Sequence, residues 1–113
     1  MVTAELKDGI ICIILDGNIT YEEFLAAVDP IFASGKKYIG FISDGRKMTT
    51  INPAIQHKLE QHHQMNNADK PNAILMTPGK KVVADIYTKF TRAKNTAVFT
   101  NEDEAVKWVN SYR

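Results

Sequence analysis

Hydrophobic positions in this chain fall in short continuous runs that alternate with stripes spaced three and four residues apart. Those are the periods of strand and helix. Residues 2–6 alternate weakly between apolar and polar, and Ile10–Leu15 is a continuous, mostly β-branched run. Lys7-Asp8-Gly9 between them is a tight-turn signal, so the two segments read as a β-hairpin. The second run is apolar on both faces, which predicts a strand inside a sheet rather than at its edge.

Asp16-Gly17-Asn18 breaks that strand, and Thr20-Tyr21-Glu22-Glu23 follows as a capping box, with Thr20 as N-cap. Phe24, Ala27, Val28, Ile31 and Phe32 then form one helical stripe. Pro30 within it predicts a kink or a restart, because its ring displaces a backbone hydrogen bond. Ser34-Gly35 ends the helix. Tyr38–Ser43 reads as the third strand, with Gly40 marking close packing against a helix, and Asp44-Gly45-Arg46-Lys47 reads as a loop. Asn52-Pro53 opens a second helix as N-cap and first helical residue. Its inner stripe is Ile55, Leu59, His62 and Met65 or Asn66.

Pro71 interrupts the chain, Ala73–Met76 is a fourth strand, and Thr77-Pro78-Gly79 is a loop. Val82, Val83, Ile86, Tyr87 and Phe90 make a third amphipathic helix, whose breadth leaves room for an exposed dimer surface or a lipid-facing lid. Thr96–Phe99 is a fifth strand. Asn101 with Glu104 forms another capping box, opening a helix with Ala105, Trp108 or Val109, and Tyr112 inside. The order β-β-α-β-α-β-α-β-α calls for one α/β domain over residues 1–113. Its mixed, mostly parallel five-stranded sheet carries four helices on right-handed crossovers.

Composition changes this picture little. The hydrophobic fraction of 44% and charged fraction of 24% are ordinary for a globular domain, and a net charge of +1 argues against a nucleic-acid partner. The distribution is less even. Residues 1–35 carry Glu5, Asp8, Asp16, Glu22, Glu23 and Asp29 against Lys7, whereas residues 36–94 carry eleven Lys/Arg against four acids. A polar ligand or acidic partner would meet that middle region. No signal peptide is visible and no apolar run reaches the roughly 18 residues of a membrane span, so a cytoplasmic protein is expected.

Candidate chemistry is sparse. Cys12 stands alone in an apolar strand, without the basic neighbourhood a reactive thiol needs. His57, His62 and His63 are spaced five, six and one apart on one helix, whereas metal-binding pairs want three or four. Neither a metal nor a cofactor is expected. Ser43 lacks a nucleophile elbow, and Thr77-Pro78-Gly79-Lys80-Lys81 lacks the rest of a phosphate loop. The best candidate is collective: Arg46, Lys47, Lys80 and Lys81 on loops after strands three and four, beside helix amino termini. That is a plausible anion or acidic-partner site. Asp44, Thr49, Thr50 and Asn52 complete it.

The ordered set LDGNITYEEF at 15–24, YIGFISD at 38–44, VVADIYTKF at 82–90 and AVFTNEDEAVKWV at 97–109 resembles the STAS domain family, in its SpoIIAA-like (STAS/SEC14) branch. Phosphorylated members carry a serine within a motif like Asp-Ser-Ser-Gly at the start of the second helix. Laid on this chain, Ile51 precedes the motif, Asn52 takes the aspartate place, Pro53 and Ala54 the serine places, and Ile55 the glycine place. The resemblance thus implies the fold without the usual phosphoserine, leaving Thr49 and Thr50 as nearby hydroxyls. It implies a non-enzymatic regulatory module of bacterial type that binds a protein partner, or a second copy of itself, through residues 44–58. The alternative is a small-molecule or lipid-binding module with an apolar cavity beneath the second and third helices, its basic loops holding an anionic head group.

Overall fold

The computed structural model describes residues 1–49, 54, 57–58, 61, 69–91 and 95–112, with backbone alone at 83 and 86–91. Five strands form one sheet in sequential order: β1 (Val2–Lys7), β2 (Ile10–Gly17), β3 (Gly40–Met48), β4 (Asn72–Leu75) and β5 (Thr96–Phe99). β1 runs antiparallel to β2, and the other three pairings are parallel. The helices are α1 (Tyr21–Ala33), α2 (Pro78–Thr91) and α3 (Glu102–Asn110). The mixed, mostly parallel sheet is as expected.

Local chemistry explains most of the boundaries. Asp8 and Gly9 both have positive φ, at 52° and 79°, and Lys7 pairs with Ile10 across them. That is a two-residue turn whose twist matches the hairpin. Thr20 Oγ1 accepts from the Glu23 amide at 3.1 Å, and Asn101 accepts from the Glu104 amide at 3.1 Å, so both N-caps form as expected. Gly35, at φ 70°, follows the Ser34 C-cap and closes α1.

Two apolar layers sandwich the sheet. On one face Ile11, Ile13, Leu15, Phe41 and Ile74 pack with Phe24 and Val28 of α1 and Ala84 of α2. On the other, Ile10, Ile42 and Ala73 pack with Ala105 and Val109 of α3. Each fully buried aliphatic side chain contributes about 1.5–3 kcal/mol relative to exposure. β2 lies inside the sheet, as its apolar run predicts. Its second face is only partly covered, however, because α3 packs on β3, β4 and β5. Ile14 is therefore 44% exposed and Cys12 half-buried.

Several expectations need correction. Residues 44–47 are not a loop but the continuation of β3, paired with β2 through Asp16–Lys47 and Gly17–Met48. The register slips there: Asp44 to Lys47 is three steps, opposite two from Ile14 to Asp16. β3 thus carries one extra residue, a β-bulge that lets pairing continue and turns Met48 into the core. Pro78 belongs to α2 rather than to a loop, since a proline at the first helical position lacks only an N–H that would be unpaired anyway. The Lys81 amide closes that first turn on the Thr77 carbonyl at 2.9 Å.

Val82 is not part of an inner stripe; it is 62% exposed, two positions off the phase set by fully buried Ala84. Tyr112 lies past α3 and is exposed, stacking edge-on against half-buried Trp108 at 5.2 Å. α1 runs through Pro30 without restarting, because Pro30 and Ala26, whose carbonyl loses its usual donor, both face water. Among the described residues there are three helices rather than four, so the observed order lacks a named helix between β3 and β4. The expected second helix falls mostly outside the described residues, although Ala54, His57, Lys58 and Gln61 have helical backbone.

Candidate functional site

The carboxyl ends of the parallel strands bring the predicted basic residues together, by a route different from the expected loops. β4 stops at Leu75, opposite Asp44, while β3 continues to Met48. Arg46 and Lys47 are displayed on that projecting strand end, both exposed. Lys80, in the first turn of α2, reaches across and donates from Nζ to the Arg46 carbonyl at 3.4 Å and to the Met48 carbonyl. Thr49, exposed, follows β3, and its amide extends the ladder to the Gly17 carbonyl at 3.1 Å. Thr50 and Asn52 lie outside the described residues, as do Ile51, Pro53 and Ile55 of the family comparison; Ala54 is exposed.

The charges are largely committed to internal partners. Arg46 grips Asp44 through Nε–Oδ1 at 3.1 Å and Nη2–Oδ2 at 2.9 Å, and its own amide donates to Asp44 Oδ1 at 3.0 Å. Burial pushes the Asp44 carboxyl upward. The side-chain and backbone hydrogen bonds of Arg46, its charge and that of Lys47 outweigh burial and hold it below the usual carboxylate range. Lys81 pairs with Asp85 one helical turn on. Lys47 stands directly across the ladder from Asp16.

That lowered carboxyl has a pH signature. A depressed folded-state value adds stability above the unfolded-state pKa, and the gain is lost as pH falls through the folded value. Asp44 is 19% exposed and Arg46 40%, so the pair is screened and worth about 0.5–1 kcal/mol. Asp44→Asn should therefore melt below the wild type at pH 7. The gap should shrink as pH falls below about 4, the ordinary range for an aspartate in the unfolded chain. A gap unchanged from pH 7 to pH 2 in thermal melts would refute this assignment.

Other candidate groups are occupied. The Ser43 hydroxyl donates to Oδ1 of buried Asn72 at 3.1 Å. Burial, then the charge of Glu5, raises the Cys12 thiol above its usual range, keeping it protonated and unreactive near neutrality. His57 is exposed, and His62 and His63 fall outside the described residues. Among the described residues, no three His, Cys, Asp or Glu side chains come together as metal ligands. No helix among them is long and apolar enough to cross a membrane.

Two residues at this end escape a sequence reading. Lys58 places Nζ 5.7 Å from the Tyr21 ring centroid, a cation–π approach linking the region after β3 to the start of α1. The available signal was positional. Tyr21 follows an N-cap directly, so it had to lie at the same end of the sheet as the segments after the other parallel strands.

No family model and no curated protein sequence matches this chain. Among solved structures it is similar to an uncharacterised protein of the DUF3478 family, with a SpoIIAA-like fold, from Shewanella loihica PV-4. The TM-score is 0.65 at 13% identity, over 96% of this chain and 92% of that one. With a five-stranded mixed sheet, and with this likeness over nearly its whole length, the chain adopts a SpoIIAA-like fold.

Proposed function

We propose that this STAS-like module is a non-enzymatic regulatory protein that binds an acidic protein surface through the carboxyl end of its sheet. The observation that supports this most is the convergence of cations from three separate segments on one open, polar rim. Arg46 and Lys47 come from β3, Lys80 from α2, and Lys58 from the segment between β3 and β4. Arg46 and Lys80 are tied to internal acceptors, which favours a rigid surface over free cations poised around a small anion. Lys47 and Lys58 are exposed and supply the charge that a partner would meet. Exposed Thr49 adds a hydroxyl where the phosphoserine of related proteins has no counterpart here. An enzymatic role has less support, since the Ser43 hydroxyl, the Cys12 thiol and the Asp44 carboxylate are respectively bonded, protonated and paired.

The test is affinity purification from the native host, followed by binding of the purified partner to wild type and to Lys47→Glu/Lys58→Glu. Charge reversal at two rim positions should weaken binding at least about 30-fold and leave the melting temperature within about 3 °C, and salt should weaken the wild-type complex. A partner held equally well by both proteins would refute the proposal. So would native mass spectrometry showing a bound lipid or metabolite and no protein.

A further inference from the structure

We infer that Lys80 is a positioning residue, fastening the projecting end of β3 to the first turn of α2 and so fixing the backbone that displays Arg46, Lys47 and Thr49. β4 ends opposite Asp44, so the ladder that holds the first half of β3 on that side does not extend along its second half. Successive peptide groups of a strand face opposite sides. With the Thr49 amide bonded to Gly17 in β2, the Arg46 and Met48 carbonyls turn away from β2, toward the side β4 has vacated. Unpaired, such carbonyls are costly once partly buried. The Lys80 ammonium, with three N–H groups, donates to both. Its fixed position on α2 follows from the Lys81 amide closing the helix turn on Thr77.

The clamp therefore substitutes one side chain for two missing ladder bonds. A neutral side chain of similar length would fill the same space and hold nothing. An arginine would keep both charge and donors. This role holds whether or not the rim takes a partner.

Hydrogen exchange followed by mass spectrometry or NMR tests it in Lys80→Met and Lys80→Arg. In Lys80→Met, amides of Gly45–Thr49 should exchange at least about tenfold faster, because a charge-assisted pair of hydrogen bonds is lost. Amides of Asn72–Leu75 should be unchanged, and Lys80→Arg should stay within about threefold of wild type. Unchanged exchange at Gly45–Thr49, uniform acceleration across the sheet, or equal effects of Met and Arg would each overturn the inference. If Lys80→Met fails to fold, amine labelling of the wild type decides. Lys80 should acetylate at least about tenfold more slowly than exposed Lys47, since its ammonium is held by two acceptors. Equal labelling rates would overturn it.

Discussion

Replacing Gly40 with alanine is expected to lower the melting temperature by about 10–15 °C, roughly 3 kcal/mol, the upper range for overpacking a tight core. A methyl group there would lie 2.7 Å from the Pro71 carbonyl oxygen, 2.7 Å from Pro71 Cγ and 3.0 Å from Val109 Cγ1. None of these can retreat cheaply. The Pro71 carbonyl accepts the Phe41 amide at 2.9 Å and holds β3 to the chain entering β4. Pro71 is a rigid ring, and Val109 is fully buried in α3. The added methyl must push either the strand pairing or the helix.

Gly45 provides the control within the same strand. A methyl there would also meet atoms at 2.7 and 2.9 Å, but they are Cε and Sδ of Met76. A methionine tip has rotamers to spare, so Gly45→Ala should cost about 1 kcal/mol or less. Circular-dichroism melts of the two variants measure the contrast. Equal shifts would show that nearness alone, rather than the stiffness of the neighbour, sets the cost.

Gly40 also shows where the chain is legible. A glycine inside an apolar strand signals close approach by something; here the neighbours are Pro71, on the chain entering β4, and Val109 of α3. The caps at Thr20 and Asn101 and the Asp8-Gly9 turn were equally readable, because each is settled within four residues. Asp44-Gly45-Arg46-Lys47 was not. Taken alone it is loop chemistry; it becomes strand because β2 continues through Asp16 and Gly17 and a bulge restores the pairing. Lys80 was readable as a cation near a helix start but not as a clamp, since its acceptors are main-chain carbonyls more than thirty residues away. Patterns of side chains do not show where a neighbouring strand will stop. Sequence could therefore propose the candidate residues, while the pairing among those described came only from the fold.

The same limit applies to the run Ile10–Leu15, where neighbouring isoleucines should respond very differently to truncation. Ile11→Ala is expected to cost about 3–4 kcal/mol, the transfer term for the lost atoms plus a cavity that the packed neighbours cannot close. Ile11 has no exposed surface, stands between Leu6 of β1 and Phe41 of β3, and belongs to the layer covered by α1. Ile14→Ala should cost no more than about 1 kcal/mol, since nearly half of that side chain is already in water. Period-two alternation puts it on the opposite face, on a stretch of β2 that α3 does not reach. Urea denaturation at constant slope would measure both. A loss at Ile14 matching that at Ile11 would mean that this half of the face is covered in solution. The open side of β2 would then have to be counted as part of the core.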